Sequence, residues 1–435
     1  MKWRYFELIF AFFALGIFSC SSEGNGEKAL EVPSPQETIN LTDFKEAVSC
    51  KPCHPVQYEE WQYSMHAYSM KDPVFHSGWE GEKTHRPDTG ERFCIQCHSP
   101  YAYVTGSEVD TTVAQIAEGI GCDLCHTMVA SHDQIITDDN VAASAEYFLN
   151  AEKDIRFGEI MDPVDNGFHE SVGIAFFNSS RACLPCHDFI IRGVDAEITF
   201  SEWAGSGFAA MSMECQSCHM QEYEGYAADP IANPGVPKRI IHDHSMVGVD
   251  LDLKKSLADN PQGEAVVDLL QSAAVLDLTD SPTIVNDTLQ LSFTIQNLTG
   301  HSFPTGVSFV RELWMELQVY DESQVYFSSG ILETDSSDLG EEVEIFNAEL
   351  FDGQGIAGVG VTDVVSMTNN SLQANEARVK TFSTPITSAT DSITVAARLL
   401  FRSFPPSSLR EQHQDLLANL PVITIDSLSF SIAIP

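Results

Sequence analysis

The stretch Glu118-Gly119-Ile120-Gly121-Cys122-Asp123-Leu124-Cys125-His126 holds the pattern that decides this fold: two cysteines separated by two residues, with a histidine directly after the second. Cys-x-x-Cys-His recurs at Cys50–His54, Cys94–His98, Cys183–His187 and Cys215–His219. This is the attachment pattern of c-type heme. Cys50, Cys53, Cys94, Cys97, Cys122, Cys125, Cys183, Cys186, Cys215 and Cys218 are the expected thioether positions. The adjacent His54, His98, His126, His187 and His219 are the expected proximal iron ligands. Five copies predict five covalently attached c-type hemes. The motifs use ten of 11 cysteines, so no disulfide framework is available. A zinc site or a redox dithiol would not require the following histidine.

The remaining cysteine, Cys20, has its own reading. Lys2 and Arg4 precede an apolar run from Phe6 to Phe18, too short for a comfortable transmembrane helix, that stops at Ile17-Phe18-Ser19-Cys20. Residues 1–19 read as a bacterial lipoprotein signal peptide with Cys20 as the lipidation site, an ordinary cleaved signal being the alternative. Residues 20–45, rich in Glu, Ser, Pro and Asn, read as a flexible tether for a lipid-anchored protein. Export fits the heme motifs, since c-type cytochromes mature outside the cytoplasm. The expected location is periplasmic or cell-surface, on a bacterial membrane.

Lys and Arg number 23 against 63 Asp and Glu, for a formal net charge of −40, and both halves of the chain share the surplus. Such a field disfavours nucleic acid and anionic membrane surfaces as partners. It would steer a basic redox protein, although a well-solvated exported surface is the simpler and favoured explanation of the charge.

The pattern changes after residue 250. Every heme motif lies before it, among short helical pieces broken by Gly and Pro. Pro261 to Leu276 then reads as a helix with Ala265, Val266, Leu269, Leu270 and Ala273 on one apolar face. Beyond it, 288–296, 313–320, 392–399 and 428–434 alternate apolar and polar residues, as strands with one buried face do. The expected fold class is therefore α+β and multidomain. A mostly helical and loop pentaheme domain spans 46–250, a connector helix lies within 251–277, and an antiparallel β-sandwich of immunoglobulin-like type spans 278–435.

Five irons offer five distal positions, and nine of the 14 histidines lie outside the motifs. His66 follows His54 by twelve residues of helical pattern, about 18 Å along an axis, so both rings cannot clamp one iron. His66 would cross to a neighbouring heme. His132, close behind His126, cannot comfortably close over its own heme either. His66, His169, His244, His301 and His132 are the distal candidates, and the fifth place stays open among His76, His132 and His242. His85 and His413 sit in charged, exposed-looking stretches. Met220 and Met246 could ligate, but thioethers more often fill gaps. Around His301, Gly300, Pro304 and Gly306 could equally just shape a turn.

Several marks together resemble the multiheme cytochromes c related to the tetraheme cytochrome c-554 that accepts electrons from hydroxylamine oxidoreductase. They are Cys50-Lys-Pro-Cys-His-Pro with Trp61-Gln-Tyr-Ser-Met-His66, Phe93-Cys-Ile-Gln-Cys-His-Ser-Pro, Glu118-Gly-Ile-Gly-Cys-Asp-Leu-Cys-His, Phe168-His169-Glu-Ser, Phe200-Ser-Glu-Trp203 and His242-Asp-His244. They occur in the family's order. Thr299-Gly-His301-Ser-Phe-Pro-Thr-Gly306 and Arg311-Glu-Leu-Trp-Met-Glu-Leu resemble a C-terminal module attached to many such cytochromes. The resemblance implies that His244 and His301 are ligands. Five motifs, not four or eight, prevent a heme-by-heme transfer of the rest.

The expected function is electron relay between membrane-side and periplasmic or extracellular redox partners, such as basic cytochromes or quinol-oxidising complexes. The alternative is an oxidoreductase acting on a small nitrogen or sulfur compound at one open-sided heme. The absence of Cys-x-x-Cys-Lys, the attachment pattern of some nitrite reductases, argues against it. Self-association through hemes or the β-domain is a third reading.

Overall fold

Each Cys-x-x-Cys-His segment winds into one helical turn. The His54 N–H donates to the Cys50 carbonyl at 2.9 Å, His187 to Cys183 at 3.1 Å and His219 to Cys215 at 3.0 Å. The third motif is itself the short helix Cys122–His126, and the second closes the helix Gly90–His98. A single turn brings residues three and four apart onto one side, so both thiols and the imidazole leave the backbone together. The computed structural model describes residues 39–86, 90–131, 145–147, 154–191, 193–358, 360–361, 363–386 and 391–434. The signal segment, Cys20 and His132 lie outside the described residues.

Between the motifs run short helices, α1 Pro55–Trp61, α2 Met65–Tyr68, α3 Pro73–His85 and α4 Gly90–His98, and a later hairpin of β1 Glu222–Tyr226 and β2 Lys238–His242. Helix α3 shows why they start and stop where they do. Pro73 sits in its first turn, the Asp72 carboxylate accepts from the Val74 N–H at 2.9 Å, and Lys83 and His85 occupy the last turn against the helix dipole. Its Trp79 is buried with Met70, Ile95, Ala102 and Ile116. The apolar residues of this region fall into several small clusters.

The C-terminal region is organised differently. After α5 (Gly263–Ala273) come β3 Ala274–Leu278, β4 Thr283–Val285, β5 Thr288–Asn297, β6 Glu312–Tyr320, β7 Val325–Ser329, β8 Ala348–Phe351, β9 Ser366–Asn369, β10 Ala377–Pro385, β11 Ser392–Arg402 and β12 Ile423–Ala433. One antiparallel sheet runs β4-β5-β10 with β3 also on β5, and another runs β7-β6-β11-β12. Leu289, Leu291, Phe293 and Ile295 of β5 share one continuous core with Leu313, Met315, Leu317 and Val319 of β6. The alternation seen in the sequence is this inward face. The other face of β6 is also covered: Arg398 clasps Glu316 at 2.7 Å through two nitrogens, and the Arg402 Nε donates to Glu312 at 2.7 Å.

The connector differs from expectation at its end. Helix α5 stops at Ala273, and residues 274–278 are strand, pairing Val275 with Gln296 and Leu276 with Ile295. Ala274-Val-Leu-Asp-Leu carries period two, and the edge of β5 supplies its hydrogen bonds, so tertiary pairing overrides a helix-compatible composition. Val266, Leu270 and Ala273 are buried as expected, whereas Ala265 is exposed.

Side chains tie the two regions together. Arg311 holds Asp250 through two nitrogens, at 2.5 and 2.7 Å, and the Tyr68 hydroxyl donates to Asp252 at 2.7 Å. The hairpin β8–β9 sets Leu350 into a cluster with Ile191, Val194, Ala196 and Val364, with Phe93 packed against it. No helix among the described residues is long and apolar enough to cross a membrane.

Candidate heme sites

Four motif histidines face a second imidazole. His54 and His169 have ring centres 6.3 Å apart, His126 and His244 6.3 Å, His219 and His301 6.4 Å, and His66 and His187 6.4 Å. An imidazole nitrogen binds a transition metal at about 2 Å and its ring centre lies about 1.1 Å farther, so two rings clamping one iron stand about 6.2 Å apart. The four spacings fit an iron between each pair. His66 stands opposite His187 of the fourth motif, not His54.

Backbone carbonyls hold three of the motif rings. The Nδ1 atoms of His54, His126 and His219 lie 2.7, 2.6 and 2.6 Å from the carbonyls of Ala227, Phe157 and Val247. A carbonyl there fixes the tautomer, leaves Nε2 for metal and raises the basicity of the ligand. The facing rings are held as well. His244 Nδ1 meets the His242 carbonyl at 3.0 Å, and the Glu60 carboxylate accepts from the His244 N–H at 3.0 Å. His66 Nδ1 meets the Met246 sulfur at 2.8 Å. Gly119, at φ +69°, lets Ile120 N–H reach the His66 carbonyl at 3.2 Å, where a Cβ would strike Ser69 and that carbonyl.

His301 reaches its place from the β-rich region. The Glu202 carboxylate accepts from the Ser302 N–H at 3.0 Å and from the Ser302 and Thr305 hydroxyls, and the Asn297 amide donates to the His301 carbonyl at 2.8 Å. Gly306, at φ +71°, passes 3.0 Å from the buried Glu197 carboxylate, measured from the Cβ it lacks. The loop 299–306 is therefore anchored on the heme-motif side of the molecule.

The second motif is the exception. The His98 ring lies flat on Phe75 of α3, with centres 3.8 Å apart and planes 9° apart, and no second imidazole faces it among the described residues. Its Nδ1 is buried without a hydrogen-bond partner. His76, one residue from Phe75, meets the Met70 carbonyl at 2.8 Å through Nε2. His242 is taken up by the Met220 carbonyl at 2.6 Å and the Glu159 carboxylate at 3.2 Å. His85 contacts Asp363, and His413 contacts the Ser77 hydroxyl. His132 lies outside the described residues, and no histidine among them faces His98.

Burial depresses the imidazoles of His66, His98, His187 and His244 to about 4. They are thus neutral at ordinary pH, the form that binds metal. The thiols also meet between motifs: Cys50 contacts Cys122, Cys97 contacts Cys186, and Cys183 contacts Cys215. Cys125 lies near Cys186. The motif turns therefore neighbour one another in the order first, third, fourth, fifth, with the second beside the fourth.

Supporting residues were less visible in the sequence. Glu202 lies inside the Phe200-Ser-Glu-Trp203 mark, and Glu118, whose carboxylate accepts from the Ala47 N–H at 2.9 Å, opens the third-motif stretch, so both were within view but had no chemical role to announce them. Phe75 carries no motif at all, and Met246, an iron-ligand candidate from the sequence, instead meets His66.

Residues 49–127 match the family model for cytochrome c554 and c-prime. No curated protein matches the chain. Among solved structures, a penta-heme cytochrome c552 from Thermochromatium tepidum matches with a TM-score of 0.66 at 22% identity, over 91% of this chain and 100% of that one. That likeness is one of fold. The Spo0M sporulation control protein of Bacillus subtilis (TM-score 0.15, 8% identity, 37% of this chain and 49% of that one) and an ApaA protein of Bordetella pertussis (0.17, 13%, 38% and 97%) share too little to bear on it. Residues 49–127, with the first three motifs, match the cytochrome c554 and c-prime family, and nearly the whole chain shares the fold of a penta-heme cytochrome, which together with the imidazole pairs supports a multiheme c-type cytochrome.

Proposed function

We propose that this chain carries five c-type hemes and relays electrons, as an exported, lipid-anchored protein, between membrane-side and periplasmic or extracellular redox partners. One observation carries the reading: four imidazole pairs stand at the spacing of iron clamped from both sides. Bound heme supplies a reversible one-electron iron couple. The chain does the rest. Its cysteines set neighbouring attachment sites in contact, its carbonyls and Glu202 hold the rings in place, and its burial of the imidazoles keeps them neutral and shields them from water.

The export signal, Cys20 lipidation and the tether belong to the same proposal, as do basic cytochromes or quinol-oxidising complexes as partners and self-association through hemes or the β-region. We read the two-sheet C-terminal region as immunoglobulin-like, supported by two antiparallel four-stranded sheets around one core.

A second reading is favoured by His98, which meets Phe75 where the other four motif histidines meet imidazole. An oxidoreductase acting on a small nitrogen or sulfur compound needs one such open-sided site. Heme quantification with low-temperature electron paramagnetic resonance of the ferric protein separates the readings, with nitrite, hydroxylamine and sulfite added in turn. Five hemes per chain whose signals none of the three moves support the relay. A stoichiometric high-spin signal that shifts with one compound makes the oxidoreductase the better reading.

A further inference from the structure

The first motif ends the order of attachment sites, and a distinct surface surrounds it. The Asp229 N–H donates to the Cys53 carbonyl at 2.7 Å, and the Gln57 amide to the Tyr226 carbonyl at 3.1 Å. With the His54–Ala227 bond, these contacts seat the β1–β2 hairpin and its loop directly beside the Cys50–His54 turn. The hairpin register pairs Glu224 with Ile240 and Tyr226 with Lys238, which puts Tyr226, Ile240, Glu222 and Glu224 on one exposed face, while Ile241 on the other is buried. Arg239 holds Asp162 at 2.7 Å and so joins the 159–165 segment to the hairpin.

This face is apolar at its centre and acidic at its rim. Ile231 in the hairpin loop is 86% exposed, with Ile240 56% and Tyr226 39% on the strands, and Met161, beside the Arg239-bound Asp162, is 65% exposed. Exposed apolar residues grouped in this way mark a contact surface more often than isolated ones do. Glu222 and Glu224 are exposed on the face of Ile240, and Glu59 and Asp165 are exposed on the adjoining segments that Gln57 and Asp162 tie to the hairpin. Of the hairpin's cations, Lys238 pairs with Glu224 at 2.9 Å and Arg239 with Asp162 at 2.7 Å, while Lys51 of the first motif lies over the Tyr58 ring.

We propose that this face docks a small electron-carrier protein whose own redox edge is ringed by lysines and arginines. The proposal rests on the electron-relay reading. At this acidic face a second copy of this chain, at −40, would be repelled, so self-association would use another surface, and an anionic membrane would be repelled too. Transient redox complexes bury little area, so a small apolar centre gives close approach while the acidic rim steers the encounter.

The test uses the full heme-loaded protein and mitochondrial cytochrome c, a small basic carrier, as probe. Affinity is read by NMR titration and electron transfer by stopped flow, from about 10 to about 200 mM salt. Glu222→Lys with Glu224→Lys should weaken both affinity and second-order rate by about tenfold at low salt and flatten the salt dependence. Ile231→Ser with Ile240→Ser should lower affinity several-fold and leave the salt slope unchanged. Met211→Ser with Met213→Ser, exposed near the fifth motif, should change neither. Unaltered heme spectra and circular dichroism show that each variant is folded. An effect confined to the Met211 and Met213 variant, or wild-type association insensitive to salt, would overturn the proposal. If the probe binds the hairpin face yet exchanges no electrons, the surface stands and the relay reading fails. If electrons pass and no hairpin variant matters, the relay stands and the surface fails.

Discussion

His219 and His98 close two motifs of the same five-residue pattern, yet the first faces an imidazole delivered by the β-rich region and the second lies against a benzene ring on α3. The motif specifies attachment and one axial ligand. Whether a second ligand arrives depends on which distant segment packs over it, and here that is decided by side chains such as Glu202 and Phe75. The comparison predicts four hemes alike and one apart.

The most severe way to break it is to remove a facing ring. His301→Ala, His244→Ala, His169→Ala and His66→Ala should each turn one low-spin heme high-spin, leaving the number of attached hemes unchanged, because attachment needs only the motif. Paramagnetic resonance and pyridine hemochrome assay read the two quantities separately. Four low-spin signals surviving in any one variant would remove that residue from its pair.

A milder break loosens the loop that carries His301. Glu202→Ala strips acceptors from the Ser302 N–H and from the Ser302 and Thr305 hydroxyls. Buried donors left unsatisfied cost about 1–3 kcal/mol, so thermal unfolding should shift down accordingly. A high-spin fraction should appear at the fifth motif alone. Glu202→Gln, which keeps an acceptor, should recover most of the loss.

Much of this arrangement could be read from residues, and the reasons differ by element. The five motifs are local chemistry at fixed spacing, visible without a fold. The strands 288–297 and 312–320 declare themselves by alternation, because one face of each meets a core. His66 was separable from His54 by helical rise alone. The pairing of His66 with His187, or of His169 with His54, was not legible, since it depends on how short helices without strong periodicity pack over one another. The strand at 274–278 was read as helix because its hydrogen bonds come from β5, a partner that composition does not reveal.

Acidity offers a finer probe, since Glu197 lies between the two contrasted sites. It is near Cys97 of the second motif and against Gly306 of the His301 loop. Burial raises its carboxyl to about 7 from an ordinary 4.5. The folded state therefore keeps this proton over a range in which the unfolded chain has released it. Its stabilising contribution is whole below about 4.5 and is lost as pH rises through about 7, on the order of 1–3 kcal/mol. Denaturant midpoints measured between pH 5 and 8 should fall with pH, and Glu197→Gln should flatten that fall. A Gln variant with the wild-type slope would assign the pH dependence elsewhere.

The smallest expected effect bears most directly on why the second motif stands apart. Phe75→Leu removes the aromatic face on His98 while keeping an apolar side chain on α3, at about 1–2 kcal/mol of stability for a half-buried ring. The spectral change should be confined to the heme at Cys94–His98, since no other motif histidine touches Phe75. His76→Ala is the companion variant. The His76 ring is engaged with the Met70 carbonyl, so its removal should leave the spin state of that heme unchanged. Were His76→Ala instead to convert a low-spin heme to high-spin, His76 would have swung in as a fifth facing imidazole. The contrast between His219 and His98 would then be one of how the second ring arrives, from a β-rich loop in one case and from the neighbouring helix in the other.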